Sequence, residues 1–140
     1  MKQLIVLFVS LSTMLKTNHT STNATASPVI HFEIGCKDLK KTTEFYTKTF
    51  GWSSTDAMMA SNLNTQSTEG IQGHITSLGH EPNNYVTIYI QVDDIKQTLA
   101  DIENAGGKKI IGPFPLPDKR QFAWFKDPEG NMVGLLTKQP

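Results

Sequence analysis

The feature that most constrains this chain is a pattern that occurs twice. Val29 to Trp52 (VIHFEIGCKDLKKTTEFYTKTFGW) reads as a strand, an aspartate turn, a helix and a glycine stop. Tyr85 to Lys108 (YVTIYIQVDDIKQTLADIENAGGK) repeats that order. Setting Asp38 on Asp94, 56 positions later, also sets Leu39 on Ile95, Lys40 on Lys96 and Gly51 on Gly107. Identities are few, but two copies of one supersecondary unit account for the chain better than any single site motif.

Within the first copy, Ile30, Phe32, Ile34 and Cys36 fall on one side of an alternating strand, and Val29, His31, Glu33 and Gly35 on the other. Asp38 is a good N-cap, since its carboxylate can accept from the open amides of the first turn. Leu39, Thr42, Tyr46 and Thr49 or Phe50 then recur at helical spacing, and Gly51 stops the helix. The apolar strand side should pack under this helix, with Cys36 as a small buried hydrophobe. Ser53 to Thr68 suggests two short strands, and Gly70 to Leu78 a third with His74 in its middle. Gly79 to Asn84 is a turn cluster joining two halves.

In the second copy Val86, Ile88, Ile90 and Val92 form the apolar side, and Tyr85, Thr87, Tyr89 and Gln91 the other. Asp93 or Asp94 caps a helix carrying Ile95, Leu99 and Ile102, which Gly106-Gly107 ends. Lys108 to Gly112 returns as a strand, Pro113, Pro115 and Pro117 make a stiff loop, and Arg120 to Lys126 and Met132 to Thr137 are strands. Asp127 to Asn131 between them is a tight turn by its residue types.

A length of 140 residues suits one domain with one well-buried core. The formal net charge is zero and the tightest basic cluster is Lys119 and Arg120 beside Asp118, which argues against a nucleic-acid partner. Cys36 is the only cysteine, so neither an internal disulfide nor a multi-cysteine zinc site can form. Residues 1–26 stand apart. Lys2, the apolar run from Leu4 to Leu15 and the closing Ala24-Thr25-Ala26 read as a secretory signal peptide, too short for a stable membrane span. The expected domain is then 27–140, exported, with modules at about 29–78 and 85–138. The alternative is a cytoplasmic protein starting at Met14. His19 and the asparagine-x-threonine triplets at Asn18 and Asn23 fall in the segment to be removed.

The order of elements, the Asp38 and Asp94 turns, FYTKTFGW (Phe45 to Trp52), VDDI (Val92 to Ile95) and DPEGN (Asp127 to Asn131) together resemble the vicinal oxygen chelate superfamily. That superfamily holds glyoxalases, bleomycin-resistance proteins and extradiol dioxygenases. The resemblance spans Val29 to Lys138 and implies an α+β fold: paired βαβββ modules whose mixed sheet curls around a cleft. It also implies a metal held by one ligand from each of four strands. Seven residues before each aspartate stand His31 and Thr87. The last strand of module one offers His74, and in the final strand the usual glutamate falls at Gly134. Two positions are therefore plausible ligands and two are not.

Periodicity points to the same place. If the helices cover the apolar strand sides, then His31, Glu33, Thr87 and Tyr89 line the concave side, with His74 and Trp124 completing a pocket. Partial burial would raise the pKa of Glu33 and suit it to be a general base; the alternative is a solvent-facing glutamate hydrogen-bonded to a neighbour. Met58 and Met59 read as pocket wall or edge packing, and His80 as facing water. The leading reading is metal-independent binding of a small organic ligand by a homodimer, without stable membrane insertion. The second is a lyase, isomerase or dioxygenase using His31, His74 and Glu33 around zinc, iron, nickel or manganese. The third is an exported interaction module whose cleft is filled by its own side chains.

Overall fold

The computed structural model describes residues 26–140. The expected signal peptide, with His19, Asn18 and Asn23, lies outside the described residues except for its last position. Ten elements follow in order: β1 (Val29–Gly35), α1 (Leu39–Phe50), β2 (Ser53–Ala57), β3 (Ala60–Asn64), β4 (Gln72–Thr76), β5 (Tyr85–Val92), α2 (Ile95–Asn104), β6 (Lys108–Pro115), β7 (Gln121–Lys126) and β8 (Met132–Thr137). The strands form one mixed, curled sheet in the order β2-β3-β4-β1-β5-β8-β7-β6. Each module contributes four adjacent strands. Its first strand runs parallel to its last, β1 with β4 and β5 with β8, and the modules meet where β1 pairs antiparallel with β5.

The repeat extends to the helix caps. Asp38 accepts from the Lys41 amide at 2.9 Å and Asp94 from the Gln97 amide at 2.9 Å. The Thr42 and Thr98 hydroxyls each donate back to the capping residue's carbonyl at 2.7 Å. Four open amides are a helix's main local liability, and both copies meet it with the same residues. Their ends differ. Gly51 takes the left-handed conformation (φ 70°) after α1, whereas Gly106 (φ 92°), not Gly107, does so after the shorter α2. Gly107 is needed for closeness: a Cβ there would stand 2.6 Å from Ile102 and 2.9 Å from the Lys126 carbonyl.

The core is divided by module. Ile34, Cys36, Leu63 and Ile75 pack with Phe32, Leu39, Tyr46 and Trp52 under α1. Val92, Ile95, Leu99, Ala123, Phe125 and Leu135 pack under α2. Cys36 is buried among apolar neighbours, and burial pushes its thiol pKa up. Among the described residues no helix is long and apolar enough to cross a membrane.

Four expectations need correction. Pro113 and Pro115 lie inside β6, not in a loop; β6 is an edge strand with register shifts, where a missing amide costs least. Met58 and Met59 form the β2–β3 hairpin tip, 93% and 52% exposed, and do not line the main cavity between the modules. Val86 and Ile88 are on the expected apolar side of β5 yet remain 69% and 41% exposed, because α1 packs over β2 to β4 and α2 over β6 to β8. His80, the fourth, packs against Tyr85 and Trp124 beside the site.

Candidate functional site

Register decides which side chains meet on the concave face. One row across the sheet joins Asn62, His74, Glu33 and Thr87, and the next joins His31, Tyr89, Gly134 and Trp124. Glu33 pairs with His74 as Tyr89 pairs with Gly134, so the internal repeat makes His31 the counterpart of Thr87, and His74 the counterpart of Gly134. All of these residues except Thr87 and Gly134 line a cavity of about 420 Å³. His31, Glu33, His74 and Tyr89 form its polar side; Leu116, Phe122, Trp124 and Leu136 form an apolar wall, and Arg120 stands among them.

Glu33 is the hub. It is 3% exposed, and it accepts from the Tyr85 hydroxyl on one oxygen and from the Tyr89 hydroxyl, at 2.5 Å, on the other. His74 Nε2 stands 3.3 Å from that second oxygen. Trp124 Nε1 donates to the Tyr89 hydroxyl at 2.8 Å, which extends the network to β7. Burial pushes the Glu33 pKa up, but the His74 contact and the two tyrosine bonds outweigh it, so the pKa is lowered. The rise expected of a general base is therefore reversed. Burial and the Glu33 charge raise both tyrosine pKa values in turn.

His31 Nε2 and His74 Nδ1 lie 2.7 Å apart, joined by a hydrogen bond. Burial first, and then the neighbouring His74, lower the His31 pKa to about 4, so its ring is neutral at pH 7. With His74 Nε2 facing a carboxylate, His74 Nδ1 is the natural acceptor and His31 Nε2 the donor.

Thr87 departs from expectation. Its hydroxyl donates to the Met132 carbonyl at 2.9 Å, and the residue lines a separate cavity of about 340 Å³ with His80, Tyr85 and Lys126. At Gly134 a Cβ would stand 2.2 Å from the Tyr89 ring, so that ring occupies the place a side chain on β8 would use. A divalent metal asks for three or more converging donors. His31 meets His74 at Nδ1 while Glu33 meets it at Nε2, so the three candidate ligands lie around the His74 ring and do not share a focus. Among the described residues no group of three histidines, cysteines or carboxylates is placed to hold a metal. The side chains present do not fit the four-strand metal centre that the resemblance implies.

Several residues of the site were not singled out from the sequence. Tyr85 shares the parity of Thr87 and Tyr89 on β5, and Phe122 that of Trp124 on β7, so alternation alone could have found both. Arg120, the first residue of the strand expected from the sequence, has that parity too. His80 does not face water: its ring stacks on Tyr85 at 3.8 Å between centroids and meets Trp124 edge-on at 5.5 Å. Gly79 makes that approach possible, since a Cβ there would meet the Tyr85 hydroxyl at 1.5 Å.

The model of the Glyoxalase/Bleomycin resistance protein/Dioxygenase superfamily matches residues 29–135. The chain belongs to this superfamily. A glyoxylase-like domain-containing protein of Didymella fabae is 30% identical over 115 residues, covering 76% of this chain and 90% of that protein. A probable lactoylglutathione lyase of Vibrio cholerae is 30% identical over 129 residues, covering 79% of this chain and 91% of that protein. In structure the chain is similar to a glyoxalase/bleomycin resistance protein/dioxygenase superfamily member from Vibrio splendidus, with a TM-score of 0.56 and 13% identity over 80% of this chain and 98% of that one. That last likeness concerns the fold, which is the paired-module fold of the superfamily.

Proposed function

We propose that this member of the superfamily binds a small, partly apolar organic molecule in its cleft without a metal ion. The observation that carries the reading is the closed polar floor: Glu33 has a donor on each oxygen, and His31 and His74 bond each other. A ligand would meet finished hydrogen-bonding groups on one side and Trp124, Phe122 and Leu116 on the other. Such an amphipathic wall suits a molecule with a flat or aliphatic body. A metal-assisted lyase reading, suggested by the name of the Vibrio cholerae relative, finds no converging donor set and no free carboxylate base. The homodimer remains part of the reading, supported by the uncovered Val86 and Ile88 beside Phe45. So does export, which N-terminal sequencing of the chain recovered from its source would test.

Tryptophan fluorescence provides the test of binding. With Trp52 replaced by phenylalanine, Trp124 on the cavity wall is the sole reporter. Chelator-treated protein titrated with a panel of small aromatic and aliphatic compounds should show saturable quenching, unchanged when zinc, nickel or manganese is returned. Saturation only with metal present, or none across the panel, would overturn the proposal.

A further inference from the structure

Apart from the histidines, two charged side chains reach the main cavity, Glu33 and Arg120. Their situations differ. Glu33 has its charge met by two tyrosines and a histidine within the floor. Arg120 has one nitrogen engaged: its Nε donates to Asp118 Oδ2 at 2.7 Å, while its terminal nitrogens bond no other described residue. A guanidinium held by Nε keeps the paired terminal N–H groups, the end that matches a carboxylate in bidentate geometry, free for another acceptor.

This arginine is also fixed in place. Its amide donates to Asp118 Oδ1 at 3.1 Å, its carbonyl accepts from the Leu116 amide at 2.7 Å, and the Lys119 amide closes the turn onto the Leu116 carbonyl at 3.0 Å. Its side chain is 26% exposed, well short of a free surface arginine. Its charge is felt across the cavity at His31, whose pKa it helps to lower. Arg120 immediately precedes β7, and at the same parity within that strand come Phe122 and Trp124, with ring centroids 6.2 Å apart on the same wall. The chain entering β7 therefore presents a cation and then two aromatic side chains to the same cavity.

Resting on the metal-independent binding reading, we propose that the cleft selects a small organic carboxylate: the anionic group on the Arg120 fork and a flat apolar body along Phe122 and Trp124. The far end of such a ligand meets the His31 and Tyr89 side of the floor. The competing account is a surface arginine satisfied by Asp118 alone, which would contribute nothing to recognition.

Naphthoate and naphthamide separate the two, because they share shape and differ in charge. Isothermal titration calorimetry on the wild-type chain should show naphthoate binding about tenfold or more tightly than naphthamide, the scale of a desolvated charge-assisted pair. In Arg120→Gln the ratio should fall to within about twofold, and Arg120→Lys, which keeps the charge but loses the fork, should fall between. Equal affinity of both compounds for the wild type would overturn the carboxylate proposal and leave the cleft-binding reading standing. A preference for naphthoate that survives in Arg120→Gln would do the same. Failure of both compounds to bind would overturn the carboxylate proposal, and the cleft-binding reading would then stand or fall on the wider panel. The wild-type comparison needs no variant, so it decides even if Arg120→Gln folds poorly.

Discussion

Glu33 shows how far one residue's chemistry depends on its neighbours. An isolated buried carboxylate would be costly and would tend to stay protonated. Tyr85, Tyr89 and His74 make it an ionised anchor instead. Replacing it with glutamine keeps the shape but removes the charge that two hydroxyls and a ring nitrogen address. We expect Glu33→Gln to cost about 2–3 kcal/mol in denaturant unfolding; a loss below about 0.5 kcal/mol would show that the cluster does not hold the floor together. His31 supplies a pH dependence of known sign. Its pKa is about 4 in the fold against an ordinary 6.5, so the unfolded chain binds more protons between those values. The stability associated with its neutral ring is complete above about pH 6.5 and is lost as pH falls toward about 4. The slope is at most about 1.4 kcal/mol per pH unit, and less here because the ring is partly exposed. Unfolding midpoints of the wild type should drop between about pH 7 and pH 5, and His31→Gln should flatten that drop. An unchanged slope would refute the linkage. Loss of the Glu33 contribution belongs to the lower, carboxylate range and does not confuse this window.

At the scale of elements, the caps are the clearest repeated device. Asp38→Ala and Asp94→Ala should each cost about 1 kcal/mol, measured as a fall in the urea midpoint at constant slope. A markedly smaller effect in one would show that tertiary packing, not the cap, fixes that helix. These aspartates also explain why so much of the architecture was readable in the sequence. Alternation in β1 and β5, the capping residues and the glycine stops are local signals, and local physics sets them. The edges resisted because their cause is not local. Pro113 and Pro115 look like loop residues until β6 is known to lie at the sheet margin, where their missing amides face no partner strand. Gly106 and Gly107 look interchangeable until the close approach of Ile102 and Lys126 is seen.

For the whole molecule, the two helices leave a gap on the convex face. Val86 and Ile88 lie there uncovered, and Phe45 is 56% exposed. If a second copy covers this strip, Val86→Asp should convert a dimer to a monomer in light scattering while leaving the fold intact; a monomeric wild type would end that reading. The site was legible only in part. Parity placed His31, Glu33, His74, Tyr89 and Trp124 on one face, because alternation is a property of single strands. It also placed Thr87 there, without revealing that the Met132 carbonyl would claim its hydroxyl. His80 comes from a connection whose path depends on the assembled sheet, and strand periodicity says nothing about it; Arg120 has the parity of Trp124, but its place in the cavity depends on the turn it closes with Leu116.

The ring of Tyr89 lying over Gly134 bears on the history open to such a chain. A donor side chain could stand on that strand only if the tyrosine gave way. Yet its hydroxyl is tied at once to the buried acid of one half and to the indole of the other. Either change made alone would leave a molecule worse than its parent. The two halves have thus become each other's constraint, since a change on β8 is felt at once on β5, β1 and β7.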